Sequence, residues 1–310
     1  MGTPEFAVAS LDALLQSGHE LIAVVTAPDK PAGRGQAVQE SAVKKFAKEK
    51  GLKILQPNKL KDESFLAELR SYYHDLQVVV AFRMLPEVVW SMPKLGTINL
   101  HASLLPQYRG AAPINWAIMN GERQTGITTF LLSNAIDTGD IFLSEEVHID
   151  ENESAGELHD RLMVRGAQLL VKTVNMMEKG EVKAIKQSLP SNDLKIAPKI
   201  FREDCRINWN DKARAIHNKI RGLSPYPAAW TTLHIPGAKS QLMKIYQSSL
   251  TNDVKTSVPG TVQCDNENVL SISTGDGSLQ ILELQLEGKK RMNVKDFLLG
   301  TKLNQETLVR

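Results

Sequence analysis

The 310-residue sequence has few cysteines, no long apolar run and almost no net charge. Its two cysteines, Cys205 and Cys264, stand in unrelated contexts without metal-ligand spacing. That excludes a disulfide-stapled scaffold and a cysteine-based zinc centre, and it fits a reducing, cytoplasmic compartment. No stretch approaches the roughly 18 uninterrupted apolar residues of a membrane span, so no membrane partner is expected. Glu5 and Asp12 stand where a signal peptide carries its basic region, so none is expected. Internal repeats and low-complexity tracts are missing, which excludes solenoid and linker architectures. What remains is 42% hydrophobic and 23% charged, a globular composition, at a length near twice the roughly 150 residues of one domain. The formal charge of +2 is unevenly spread: residues 201–310 hold 15 Lys and Arg against 11 Asp and Glu. A mildly basic last third fits a polyanionic partner and fits ordinary surface charge equally well.

Met1-Gly2-Thr3-Pro4-Glu5 reads as a helix start. Thr3 suits the N-cap, Pro4 the first helical position, and Glu5 the positive end of the helix dipole. A glycine in that place belongs to a strand-to-helix turn, yet no strand precedes it. The expectation is a missing first strand and a native start upstream. Periodicity then predicts a helix over 4–17, with Phe6, Leu11, Leu14 and Leu15 on its apolar face. A strand over 21–25, a loop rich in Pro, Gly and basic residues over 27–39, and a basic helix over 41–50 follow. Next come a strand over 52–55, a helix over 62–72, a strand over 77–82, a short helix from 86 and a strand over 97–100. Apolar strands alternating with helices imply an α/β fold, a Rossmann-like, mostly parallel sheet covered on both faces.

A helix over 112–120, strands over 125–132 and 141–148, and a long helix over 157–178 complete this half. Pro190, Ser191, Asn192, Asp193 and Pro198 break the pattern. The predicted domains are therefore 1–189 and 200–310, joined by a linker over 190–199. In the second, a helix over 211–221 precedes short strand-like pieces at 229–233, 243–246, 260–263, 269–274 and 279–286. Turn signals such as Thr274-Gly275-Asp276-Gly277 separate them, which suggests a small antiparallel, OB-like barrel.

The chemistry-bearing residues concentrate between Asn99 and Gly110. Asn99 and His101 are two apart at a strand end, so both side chains point to one face if the strand persists. In open α/β sheets ligands bind at the carboxyl ends of strands. An amide and an imidazole converging there offer a hydrogen-bond donor and a proton-transfer group. Taken alone, they fit a capping Asn and a surface His as well. Asp137, in Asp137-Thr138-Gly139-Asp140, can orient His101 and hold a proton-accepting water, or simply accept local backbone N–H groups in a turn.

In order, Asn99-x-His101, Ser103-Leu104-Leu105-Pro106, Tyr108-Arg109-Gly110, Trp116, Thr125-Gly126-Ile127-Thr128 and Asp137-Thr138-Gly139 resemble the 10-formyltetrahydrofolate-dependent formyltransferases. The stretch Pro28-Asp29-Lys30-Pro31-Ala32-Gly33-Arg34-Gly35-Gln36 is similar to a basic loop in the branch that acts on methionyl-tRNA. Arg206-Ile207-Asn208-Trp209, the run from Arg221 to Trp230, Pro259-Gly260-Thr261-Val262 and Gly275-Asp276-Gly277 resemble the C-terminal domain of that branch. The resemblance spans essentially the whole chain. It departs at Phe82-Arg83-Met84-Leu85-Pro86, which replaces a Tyr-Gly-containing version and sits nearer the purine-forming branch.

The resemblance implies formyl transfer from 10-formyltetrahydrofolate, as cosubstrate, to the α-amine of methionyl initiator tRNA. Asn99 and His101 would stabilise the oxyanion, and Asp137 with His101 would relay the proton. Ser103, Leu104, Leu105 and Pro106 would line the folate pocket, with Phe82, Arg83, Met84 and Leu85 opposite. Lys30 and Arg34 would grip the acceptor stem, and Lys212, Lys219 and Arg221 are further candidates for RNA contact. No metal is implied, and a monomer is expected. A formyltransferase acting on a sugar-nucleotide amine and a 10-formyltetrahydrofolate hydrolase are the alternatives.

Overall fold

The computed structural model describes all residues except 33–36, 189–193, 252–257, 266 and 305. It comprises two compact units. One holds Met1–Gly110, Thr125–Val147 and His159–Ile196; the other holds Ala111–Gln124, His148–Leu158 and Ala197–Arg310. In chain order the elements are α1 (Glu5–Gln16), β1 (Val24–Val25), β2 (Lys30–Ala32), β3 (Ala37–Gln39), α2 (Ala42–Glu49), β4 (Ile54–Leu55), α3 (Glu63–Ser71), β5 (Gln77–Val80), α4 (Glu87–Trp90), β6 (Thr97–His101), β7 (Arg109–Gly110), α5 (Pro113–Met119), β8 (Gln124–Leu131), β9 (Ile141–His148), α6 (Ala155–Glu178) and β10 (Ile196–Ala197). Among the described residues no helix is long and apolar enough to cross a membrane.

The first unit is built on short parallel strands. β1 pairs with β4, and β5 with β6 in the register Gln77↔Thr97 to Val80↔Leu100. The helices form because their apolar residues recur every three to four positions. α1 buries Phe6, Ala7, Ser10 and Leu14, and α2 buries Val43 and Ala47, with its start capped by Ser41 Oγ accepting from Lys44 N–H. Met1 and Gly2 lie between β1 and β5. The Met1 amino group donates to Val78 O at 2.6 Å, Val80 N–H donates to Met1 O at 2.9 Å, and Gly2 N–H donates to Val25 O at 3.0 Å. A cavity of about 500 Å³ lies beside them, with Leu14, Leu21, Val24, Leu76 and Val78 in its walls.

Three local expectations change. α1 starts one residue later than predicted, because Pro4 has an extended ψ of 178° and stands outside the helix as its cap residue. The segment 27–39 is not simply a loop, since β2 and β3 pair antiparallel from Lys30↔Gln39 to Ala32↔Ala37. Residues 33–36, including Arg34, lie outside the described residues. The parallel order ends at β8, which runs antiparallel to β6.

The second unit continues with a 3-10 turn (Glu203–Cys205), α7 (Ala213–Leu223), β11 (Ala229–His234), β12 (Gln241–Leu250), β13 (Val262–Cys264), β14 (Leu270–Ser273), β15 (Ser278–Leu286), β16 (Met292–Asn293), α8 (Val294–Gly300) and β17 (Leu308–Val309). The strand order β13-β14-β15-β12-β11-β17 brings the two edges together through Thr261 and Leu308, so the antiparallel sheet nearly closes into a barrel. α7 places Ile216, Ile220 and Leu223 at i, i+4 and i+7 against Met243, Ile245, Ile272 and Ile281. The turn at 274–277 fixes the start of α7. Asp276 accepts from Ala213 N–H at 2.7 Å, and Gly275 packs so closely that a Cβ would lie 2.1 Å from Asn210 O. Trp209 is core, its Nε1–H donating to Thr231 Oγ1 at 3.0 Å.

α7 also buries His217, whose Nδ1 lies 3.1 Å from Ser248 Oγ. Burial, then the charges of Arg221 and Arg214, push its pKa down to about 4, against a weaker pull from Glu151. The unfolded chain binds a proton at this ring near pH 6.5, whereas the folded chain does so only near 4. The stability this group contributes is therefore complete above about pH 6.5 and is lost as pH falls through 4, by about 3 kcal/mol in all. Urea unfolding of His217→Gln is expected to show a correspondingly flatter loss between pH 7 and 4. Parallel pH curves for the two proteins would refute this origin.

Candidate active site

β6 delivers the two residues at its end. Strand geometry persists through His101, so Asn99 and His101 share a face, opposite Phe130 and Thr128 of β8 in the register Asn99↔Phe130 and His101↔Thr128. Leu100 points the other way, into the core against Gly166. Asn99 is half-buried, and its side-chain amide makes no hydrogen bond among the described residues. His101 is buried and stands edge-on to Phe130, with ring centroids 6.5 Å apart.

The tautomer of His101 follows from its partner. Nε2 lies 2.9 Å from Tyr108 O, and a carbonyl only accepts, so Nε2 carries the proton. Nδ1 is then the ring atom left to gain or lose one. It faces Asp137, whose Oδ2 is 3.8 Å away. That is ion-pair range, longer than a hydrogen bond. Tyr108 holds its carbonyl in place from a backbone φ of +59° inside a braced loop. Ser103 Oγ donates to Gln107 O at 2.6 Å, Thr128 Oγ1 donates to Ser103 O at 2.7 Å, and Leu105 N–H donates to Thr128 Oγ1 at 3.2 Å. Ser103 is fully buried, so its hydroxyl serves the loop.

Asp137 sits in the left-handed region at φ +53°, which Asp tolerates better than most side chains. Its Oδ2 accepts from Gly110 N–H at 2.8 Å. Gly139 lets this loop lie against β8, where a Cβ would fall 1.6 Å from Leu131 O. Gln187 straps the loop from outside, donating to Asp137 O at 3.0 Å and Gly139 O at 2.7 Å while accepting from Arg109. Burial pushes the Arg109 guanidinium pKa down and the Asp137 charge draws it back up. Sequence reading found Arg109 only inside a motif, and it missed Gln187, a lone amide near a linker with no pattern around it.

The strand next to β6 supplies a second wall. Ala81, at φ +46°, ends β5, and Phe82, Arg83, Met84 and Leu85 follow at its carboxyl end. Arg83 donates to the carbonyls of Pro57 and Asn58 and covers the Phe82 ring at 5.5 Å. Leu85 is buried and Met84 exposed. No hydrogen bond among the described residues engages the backbone of Phe82, Arg83 or Met84, so this edge presents free amide donors and acceptors. A cleft of about 820 Å³ beside it carries Lys61, Arg70 and Arg83 on its rim.

The residues expected to meet RNA are not equivalent. Lys30 and Lys212 are exposed, and Lys219 is partly buried. Arg221 corrects the expectation. It is buried, donating from Nε to Asn218 Oδ1 at 2.9 Å and from Nη1 to Glu153 O at 3.0 Å, so its guanidinium is committed inside the second unit. Among the described residues no group of three or more His, Cys, Asp or Glu could hold a metal ion.

Residues 1–174 match the formyl transferase family model, and residues 199–302 match that of the formyl transferase C-terminal domain. The chain is 53% identical over 305 residues to a methionyl-tRNA formyltransferase of Azobacteroides pseudotrichonymphae, covering 97% of this chain and 94% of that protein. It is 49% identical over 309 residues to one of Flavobacterium johnsoniae, covering 100% and 97%. Among solved structures, WlaRD, a sugar 3N-formyl transferase crystallised in the presence of dTDP and 5-N-formyl-THF, aligns with a TM-score of 0.65 at 25% identity, covering 93% of this chain and 97% of that one.

Proposed function

The chain belongs to the formyl transferase family, and from that premise we propose that it transfers the formyl group of 10-formyltetrahydrofolate to the α-amine of methionyl initiator tRNA. The observation that carries the choice of acceptor is the near-full-length likeness to proteins named methionyl-tRNA formyltransferases, through the second unit as well as the first. In this reading residues 1–189 form the catalytic domain, 190–199 the linker and 200–310 the RNA-binding domain. The enzyme acts as a cytoplasmic monomer on the acceptor stem.

The site supplies what the reaction needs. The neutral amine attacks the formyl carbon, and the carbonyl π pair moves onto oxygen. The unengaged amide of Asn99 donates to that oxyanion, and so does His101 through a protonated Nδ1, its Nε2–H being held by Tyr108. As the C–N10 bond breaks, the proton shed by the amine must reach N10. Asp137, through water, takes that proton, and His101 passes it on. The free backbone edge at Phe82, Arg83 and Met84 suits the in-plane donors and acceptors of a pterin, with Leu85 beneath. Ser103 braces the facing loop, leaving Leu104 and Pro106 to present apolar surface over the buried Leu105. Lys30, Arg34, Lys212 and Lys219 are assigned to phosphates, and that binding weakens as salt rises.

The likeness to WlaRD favours a sugar-nucleotide amine as the second reading. One assay separates these. The protein is incubated with 10-formyltetrahydrofolate and methionyl initiator tRNA, an amino-sugar nucleotide, or no acceptor. Formyl-methionine in the first arm alone is expected. Product in the second arm alone supports the sugar reading, and formate without an acceptor supports hydrolysis.

A further inference from the structure

The catalytic pair is held from outside the sheet that carries it. Gln187 offers two amide donors and a carbonyl oxygen, and all are engaged at once. Nε2 donates to Asp137 O at 3.0 Å and to Gly139 O at 2.7 Å, and Oε1 accepts from the Arg109 guanidinium. The segment that brings Gln187 there is tied to β9 by Ile185, which exchanges backbone hydrogen bonds with Ile141 at 2.8 Å each way. The chain returns at Lys195, whose carbonyl accepts from Tyr108 N–H at 2.7 Å and whose N–H donates to Gln107 Oε1 at 2.8 Å. Tyr108 O fixes the His101 ring and Asp137 faces it, so one stretch of chain supports both.

Asp137 needs such a hold. It lies in no helix or strand, and its carboxylate reaches Gly110 N–H and His101 Nδ1 from a backbone at φ +53°. A side chain keeps that conformation only where its surroundings over-determine it. The loop's own side-chain bonds, such as Thr138 Oγ1 donating to Ala135 O at 3.0 Å, close it on itself. Among the described residues, Gln187 is the one side chain from beyond the loop that hydrogen-bonds it, and it gathers the carbonyls on either side of Thr138. Its oxygen has a second task. It is the acceptor the Arg109 guanidinium meets, which keeps that cation where the Asp137 charge acts on it.

We infer that Gln187 is a positioning residue for formyl transfer, acting through Asp137 by setting its carboxylate against Gly110 N–H and His101 Nδ1. The inference rests on Asp137 being the proton acceptor proposed above, so its test reads kinetics and placement separately in the full-length protein. Gln187→Leu is expected to lower kcat about ten- to hundredfold, with both KM values and the unfolding midpoint little changed. Gln187→Glu keeps the size and the acceptor for Arg109 but, ionised, has no donor for the two carbonyls. It should lose as much, and it decides the matter if the leucine variant fails to fold. In an Asp137→Asn background either substitution should cost nothing further, because the charge that Gln187 places is gone. The Gly110 amide proton resonance reports the carboxylate directly, and in both Gln187 variants it should move toward its position in Asp137→Asn. An unmoved resonance overturns the inference. So do losses that multiply in the double variants, and so does wild-type kcat in the Gln187 variants while Asp137→Asn is impaired. If Asp137→Asn itself keeps wild-type turnover, the proton-acceptor reading fails, and a Gly110 resonance that moves in the Gln187 variants still assigns the placement of Asp137 to Gln187.

Discussion

Asn99→Ala is expected to lower turnover of formyl transfer by two or more orders of magnitude while leaving thermal unfolding nearly unchanged. The side-chain amide makes no hydrogen bond within the described chain, so its removal leaves no internal partner unsatisfied. Surface-type substitutions of this kind shift stability by only about 0.5 kcal/mol. A donor placed at a developing oxyanion is worth far more, about 10²–10³ in turnover where measured in acyl transfer. His101→Ala should lose at least as much activity, with a different stability signature. It strips the donor from Tyr108 O in a buried setting and should cost about 1–3 kcal/mol of folding free energy. Single-turnover kinetics with thermal unfolding read both effects. Wild-type turnover in Asn99→Ala would remove Asn99 from the reaction.

These contrasts show what the sequence could and could not carry. Asn99 and His101 were legible because strand periodicity puts residues two apart on one face, and β6 keeps that geometry through His101. The proton on Nε2 was not legible, since it depends on where a carbonyl seven residues later comes to rest. The antiparallel entry of β8 was equally hidden, because an apolar strand reads the same in either direction. β16 and β17 are two residues each, too short for any period to register. Arg221 illustrates a different limit. Its charge suggested a surface role, but it lies three residues after Asn218 and directly after Ile220, on a helix packed on more than one side. Composition carries no information about which arginine finds a buried carbonyl. Gln187 acts through two backbone oxygens, and nothing in its own neighbourhood marks it.

The second large effect concerns Asp137, and the choice of substitution decides what is learned. Its Oδ2 holds Gly110 N–H and faces His101 Nδ1, so it could serve as charge or merely as brace. Asn keeps an oxygen for Gly110 and tolerates the left-handed backbone at φ +53°. Ala supplies neither the oxygen nor that tolerance, and strain in this region costs about 1–2 kcal/mol. Asp137→Asn therefore removes the negative charge while sparing the loop that Gln187 and Gly139 help to hold. If Asp137 accepts the amine's proton, Asp137→Asn should fall about 10²–10⁴-fold in kcat, the usual range for removing a general base, with little change in KM. A brace alone predicts the opposite pattern. Asp137→Asn would then keep near-wild-type turnover, and only Asp137→Ala would fail, with a lowered unfolding midpoint. The ion-pair distance of 3.8 Å to Nδ1 favours the first outcome, because a residue placed only to brace Gly110 has no need to face the one ring nitrogen of His101 left open for a second proton.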